Sequence, residues 1–348
     1  MGGKISKSSE PNIQNEIDKQ LAADRERLRS EVKLLFLGAG DSGKSTIAKQ
    51  LKLLHQGFSD DQIATFRTVI YNNVLEPINV LIEEVQADPE LELAADCEAS
   101  AQRLVAHAES FKSEFTPEMA EDVTLVWSDP AIKAMFDKLP EFQLNDAAAY
   151  FFGQVDRIAS AGYIPSDVDI LRSRAKTSGI VETHFSHLIN NENIMFHVLD
   201  VGGQKSERKK WIHVFQDVSA LVYTVALSEY DLVLSEDGKT NRMQDSLQLF
   251  KSVVNNKWFF DTPTILFFNK MDLFEEKIKT IDLKVCFPDY KGGCDKDAAL
   301  EYIKKQFLNQ NENETKNVHV FETTATDPEV VKDAFRQVSQ LSLKRMEV

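Results

Sequence analysis

Long apolar runs are missing from this chain: no stretch approaches the roughly 18 apolar residues that a membrane-spanning helix needs. No part of it is expected to cross a bilayer. Cysteine is scarce, with Cys97, Cys286 and Cys294 the only three in 348 residues. The odd number, and a spacing that fits no complete metal site, argue against a disulfide framework or a cysteine metal centre and for a reducing, intracellular compartment. Positive charge is also short, since 40 Lys and Arg against 55 Asp and Glu leave a net charge of −15. That balance disfavours a nucleic-acid binder, whose affinity comes from clustered cations. Any phosphate site must therefore be a local positive pocket in an acidic body. No secretory signal is seen, so the Asn313-Glu-Thr triplet carries no weight as a glycosylation site.

What is present reads as an ordinary globular composition, 43% hydrophobic and 27% charged. The length exceeds the roughly 250 to 300 residues at which single cores stop growing, which favours two domains. Gly2 follows Met1, and Ser6 completes the M-G-x-x-x-S/T myristoylation pattern, with Lys4 and Lys7 nearby. Residues 1–30 continue into a polar helical stretch whose stripe of Ile13, Ile17, Leu21 and Leu28 is too narrow for a core and suits a partner surface. Within 59–168, the segments Ile63 to Val85, Ala99 to Phe111 and Ala131 to Ile158 have helical spacing, predicting an inserted all-helical domain. In 31–58 and 169–348 strand-like runs alternate with helices: Val32 to Leu37, Ile194 to Leu199, Ala220 to Ala226, Thr264 to Phe268 and Val318 to Phe321. Such alternation predicts an α/β domain with a mostly parallel sheet and helices on both faces.

Gly38 to Ser45 fits G-x-x-x-x-G-K-S/T between a predicted strand and a predicted helix. Glycines let backbone N–H groups curl inward, and the helix turns its positive end to the same anion. Gly40, Asp41, Ser42, Gly43, Lys44, Ser45 and Thr46 are the candidate phosphate contacts, with Lys44 on the β- and γ-phosphates and Ser45 on magnesium. Asn269-Lys270-Met271-Asp272 ends another strand, where open parallel sheets bind ligands. The Asp272 carboxylate can accept from both N1–H and the exocyclic amine of guanine, whereas adenine would offer it a repelling acceptor at N1. The nucleotide is therefore expected to be GTP or GDP.

Asp200-Val-Gly-Gly203-Gln204 follows the strand ending at Leu199. Asp200 is placed to hold magnesium through water, Gly203 to bring its N–H to the γ-phosphate, and Gln204 to orient the attacking water. Leu171-Arg172-Ser173-Arg174-Ala175-Lys176-Thr177 adds two arginines and a hydroxyl just before a strand. On composition alone it is a basic linker; its position favours a switch facing the phosphates.

These segments resemble the alpha subunits of heterotrimeric G proteins over nearly the whole chain. GAGDSGKST, LRSRAKTSGI, DVGGQKSERKKWIHVF, ALSEYD, NRMQDSLQLF, FFNKMD and TTATD carry the resemblance. It implies a Ras-like P-loop GTPase domain interrupted by a helical domain. It further implies that Arg174 is a built-in arginine finger, Thr177 the second magnesium hydroxyl, Leu171 and Arg172 nucleotide contacts, and Thr324 and Ala325 backbone donors to guanine. Beta/gamma subunits are expected on the N-terminal helix and on Lys205 to Phe215, with Trp211 and Phe215 as apolar anchors. An exchange factor or receptor would read the C-terminus, and effectors and GTPase-accelerating proteins the switches, at the cytoplasmic face of the plasma membrane with a cytosolic pool.

The chain departs from the family pattern in places. Gly3 stands where a cysteine is common, leaving a single lipid signal at Gly2, which gives only marginal membrane binding. Thr324 also stands in place of a frequent cysteine, a change that matters little for a backbone contact. Gly153-Gln154 replaces an acidic or amide pair, weakening a clasp across the cleft. Asp245, shorter than the usual glutamate, is expected to loosen its pair with Arg208, and Lys205 replaces an arginine. The tail ending at Val348 lacks the cysteine of some subclasses. Small ADP-ribosylation-factor-like GTPases lack the insertion and Arg174, and P-loop kinases have no use for Asn269-Lys270-Met271-Asp272. The non-enzyme alternative is a nucleotide-gated scaffold that scarcely hydrolyses GTP.

Overall fold

In the computed structural model, the described residues are 31–109, 115–138, 147–189 and 191–346. Gly2 and the stripe from Ile13 to Leu28 lie outside them. Six strands form one sheet in the order β2-β3-β1-β4-β5-β6: β1 Glu31–Gly38, β2 Ile180–Ile189, β3 Glu192–Val201, β4 Ala220–Ala226, β5 Thr264–Asn269 and β6 Val318–Glu322. All neighbours run parallel except β2 and β3.

The inner strands are apolar at consecutive positions because both faces are covered. In β1, Leu35 and Leu37 enter one core while Val32, Leu34 and Phe36 enter the other. The second core is closed by α1 Lys44–His55 and α12 Pro328–Met346, through Ile47, Leu51, Val331 and Phe335. On the first face lie α9 Arg242–Val254, α10 Met271–Lys277 and α11 Lys296–Leu308, through Phe250, Phe274 and Phe307. β2 is absent from the runs read off the sequence. It is an antiparallel edge strand in which Phe185 alone is buried, so it has no apolar run to give it away.

Between α1 and β2 the regular elements among the described residues are all helices: α2 Asp60–Ala87, α3 Glu98–Glu109, α4 Pro117–Ser128, α5 Pro130–Lys138, α6 Ala148–Phe152, α7 Val155–Ile158 and α8 Asp167–Arg172. The helices α2 to α7 share a core of their own built on Ile78, Leu81, Val123, Ile132 and Phe151. No helical run read from the sequence covers α4; Thr116 caps it by accepting from Met119 N, and Pro117 opens it at a position where no helix N–H is lost. The Ala131 to Ile158 segment is not one helix, since α6 and α7 break at Gly153 and Gln154.

Asp169 ties the last three helices together. Its buried carboxylate accepts from Arg157 Nη1 and Nη2 at 2.8 and 2.7 Å, from the Tyr150 and Tyr163 hydroxyls at 2.8 and 2.9 Å, and from Ser166 N at 2.9 Å. Burial alone would raise its pKa, but Arg157, the Ser166 N–H and the two tyrosines outweigh it and hold the carboxyl far below its usual range. A depressed folded pKa stabilises above the unfolded value of about 3.9, and the stabilisation fades as acid protonates the folded carboxylate. Asp169→Ala is expected to cost about 3 kcal/mol in urea unfolding at neutral pH, the low end for breaking a buried pair because Arg157 is partly solvated. The difference from the parent should shrink as pH falls below about 4.

Candidate functional site

The C-terminal ends of β1, β3, β4, β5 and β6 open into one cavity of about 960 Å³, roofed by α2 and the segment after α8. Gly40, Asp41, Gly43, Lys44, Ser45, Thr46, Leu171, Arg172, Arg174, Thr177, Asp200, Gly203, Gln204, Asn269, Lys270, Asp272, Thr324 and Ala325 all line it. Ser42 does not: its hydroxyl pairs with Thr224 Oγ1 at 2.7 Å beneath the loop.

The loop after β1 is shaped by its glycines. Gly43 sits at φ 95°, and a Cβ there would strike Asn269 Nδ2. Lys44 Nζ donates to Gly38 O at 3.1 Å and Ala39 O at 2.6 Å. Burial pulls its pKa down to about 8, with Asp200 and Asp41 opposing. A cation so poorly solvated gains most from an anion brought beside it. Gly203 approaches from the β3 side, where a Cβ would lie 2.5 Å from both Ala39 O and Lys44 Nζ.

Ser45 Oγ and Thr177 Oγ1 meet at 2.9 Å although 132 positions apart. Beside them Asp200 is buried, and its Oδ1 has no hydrogen-bond partner. Burial raises the Asp200 pKa, with Lys44 and Ser45 opposing. Two hydroxyls and an orphaned carboxylate oxygen are the all-oxygen donors that a hard cation such as Mg2+ requires, so these residues fit that ion.

Arg174 is held at both ends. Its backbone N and O pair with the Asn73 side chain at 2.5 and 2.7 Å, and its guanidinium meets Asp41 at 2.6 Å. Pro77 in α2 cannot donate to the Asn73 carbonyl, a local break in the helix next to this contact. Lys49 fixes the same segment to α1 through Ile170 O and Ser173 O at 3.0 and 2.6 Å. Asp41 also meets Arg242 at 3.3 Å; Arg242 and Lys270 share Glu229, each at 3.0 Å. Burial would raise the Asp41 pKa, but Arg174, Arg242, Lys270 and Lys44 outweigh it and lower it. Asn73, Lys49, Glu229 and Arg242 were not singled out from the sequence, though Glu229 and Arg242 lie within ALSEYD and NRMQDSLQLF.

At the base end, Asn269 Nδ2 donates to Ser42 O at 3.0 Å while its Oδ1 accepts from Ala325 N at 3.0 Å. Asn269 thus splices the two loops together. The Ala325 N–H, expected on the base, is already engaged and reaches guanine only by sharing or leaving that bond. Arg172 stacks its guanidinium over Tyr150 at 4.9 Å.

A family model described as G-protein alpha subunit matches residues 11–342. The chain belongs to this family. Alpha subunits of heterotrimeric G proteins bind guanine nucleotides with Mg2+, are generally GTPases, and work with beta/gamma subunits, receptors and effectors. In this alpha subunit Arg208 forms a two-pronged pair with Asp245, at 3.1 and 2.5 Å, while its Nε donates to Gly203 O at 3.0 Å. The shorter acid therefore does not open the pair, because two guanidinium N–H groups still reach both of its oxygens. The Lys205 ammonium donates to Asp237 at 2.8 Å, and its backbone N–H to Glu236 Oε1 at 3.4 Å. Trp211 and Phe215, named as partner anchors, are both buried: Trp211 Nε1 donates to Gly202 O at 2.8 Å, and Phe215 packs edge-on against Phe259. Neither is available to a partner in this conformation, whereas Ile212 is half exposed.

Proposed function

We propose that this alpha subunit is a GTP-hydrolysing switch whose two loops are ordered by γ-phosphate and released with it. The convergence of Arg174, Gln204, Gly203 and Lys44 on one cavity supports this most. Lys44 exchanges its carbonyl partners for β- and γ-phosphate oxygens. Gln204 orients a water for attack on the γ-phosphorus, the bond to the bridging oxygen breaks, and Arg174 stabilises the charge that develops on the oxygens. Ser45, Thr177 and, through water, Asp200 would hold Mg2+, which when bound neutralises phosphate charge. The scaffold alternative has no use for Arg174 and Gln204 beside the same phosphates.

Loss of phosphate removes the partners of Thr177 and Gly203, freeing both loops. Trypsin provides the test, since Lys205, Arg208, Lys209 and Lys210 crowd one loop. Cleavage there should be slow with a non-hydrolysable GTP analogue and Mg2+, and fast with GDP. Equal cleavage in both states would contradict a switch.

Beta/gamma subunits would dock on the N-terminal helix and the Lys205 to Phe215 segment, with a myristoylated Gly2 contributing to residence at the cytoplasmic membrane face. Gln154 spends its Oε1 on Arg157 Nε at 3.0 Å, which supports a weak clasp across the cleft. Gln154→Asp should slow GDP release about two- to fivefold, the worth of one solvated ion pair. An unchanged rate would remove the clasp from the account.

A further inference from the structure

Away from the nucleotide cavity, three neighbouring strands bring two imidazoles and a carboxylate together. His184 of β2 and His197 of β3 are direct partners in the antiparallel register, and Glu31 opens β1 on the other side of β3. Alternation along the strands puts Glu31 and His197 on the face that carries Leu35 and Leu199. The imidazoles stack with centroids 4.1 Å apart and planes 18° apart. Glu31 Oε1 lies 3.6 Å from His184 Nε2 and 3.5 Å from His197 Nδ1. Those separations are long for hydrogen bonds. They approach the edge of a zinc tetrahedron, about 3.3 to 3.4 Å for metal–ligand bonds of about 2.0 to 2.1 Å. The three candidate ligand atoms lie within 4.8 Å of one another.

The far side of His197 strengthens the case. Its Nε2 lies 2.9 Å from Glu182 Oε2, and an ionised carboxylate can only accept, so Nε2 carries the proton. Nδ1 is then left with a lone pair facing a second carboxylate, a repulsive contact unless a cation lies between. Lys33, opposite His197 on β1, donates to Gln216 O at 2.7 Å, and its charge also reaches Glu182 and Glu31. Carboxylate, imidazole and open lone pair in series are the arrangement that orients a histidine toward a metal.

We propose that Glu31, His184 and His197 bind a divalent transition-metal ion of the zinc type, with Glu182 orienting His197 and water in the fourth position. Each nitrogen donates in its own ring plane, so the stacked rings do not converge until one turns out of the stack, a movement open to the His184 side chain, which is 46% exposed. Glu31 and His197 are only 13% and 17% exposed, so the ion would enter past His184. Imidazole donors favour zinc-type ions over Mg2+, which separates this site from the one at Ser45 and Thr177. Binding would fasten three adjacent strands, two of which run into the Thr177 and Gly203 loops.

The test uses tag-free full-length protein saturated with GDP and Mg2+, titrated with Zn2+ by calorimetry and with Co2+ by absorption. One equivalent should bind, and Co2+ should give the strong visible bands of four-coordination. His184→Asn and Glu31→Gln should each weaken Zn2+ binding by at least the roughly 10- to 100-fold that loss of an outer partner costs. Cys294→Ser should change nothing, and retained GDP reports that each variant is folded. Absence of saturable Zn2+ binding by the parent, or binding unaltered in both ligand variants, would overturn the proposal.

Discussion

Arg174→Cys is expected to slow single-turnover GTP hydrolysis by about 10³-fold while leaving guanine-nucleotide affinity nearly intact. The residue is held at the cavity from both ends: Asn73 fixes its backbone, and Asp41 holds its side chain in the wall. Because the arginine is supplied in cis, its removal should be visible without any accelerating partner. Folding should survive, since Asp41 keeps Arg242 and the Asn73 bonds to residue 174 are to backbone atoms. Protein loaded with GTP without magnesium and started by adding it gives the rate as phosphate release. Similar rates in variant and parent would remove Arg174 from the reaction.

Asp272→Asn should lower GDP affinity by about 10- to 100-fold, the worth of charge-assisted hydrogen bonds to one carboxylate. It should also move preference toward xanthosine diphosphate. Asparagine offers one acceptor and one donor, matching a base with a carbonyl where guanine has its amine. Competition binding with the two diphosphates measures both effects. Asp272 lines the cavity at the start of α10 and is exposed, so its replacement should leave the fold alone. Unchanged GDP affinity would mean that the base is read elsewhere, with Asn269 serving the two loops it joins.

The order in which the site became legible follows physical range. β1 and the phosphate loop declare themselves because a strand buried on both faces is continuously apolar and because only glycine suits the turn after it. β2 has a solvated edge and no such run. Asn73, Glu229 and Arg242 act through partners on distant segments, and local pattern cannot reveal a bond between positions 73 and 174. Asp245 shows a different limit: one methylene less suggested a looser pair, but a guanidinium with five donors adapts. For Trp211 and Phe215, composition shows an apolar surface but not whether the loop has folded it inward.

The most direct test is single-turnover hydrolysis of preloaded GTP by the parent and by Gln204→Leu, with non-hydrolysable analogue binding measured in parallel. The expected result is one phosphate released per parent molecule, a rate at least about 10²-fold lower in the variant, and equal analogue binding. Equal hydrolysis rates, or a parent that holds GTP without turning it over, would contradict the assignment of this cavity as a hydrolytic switch.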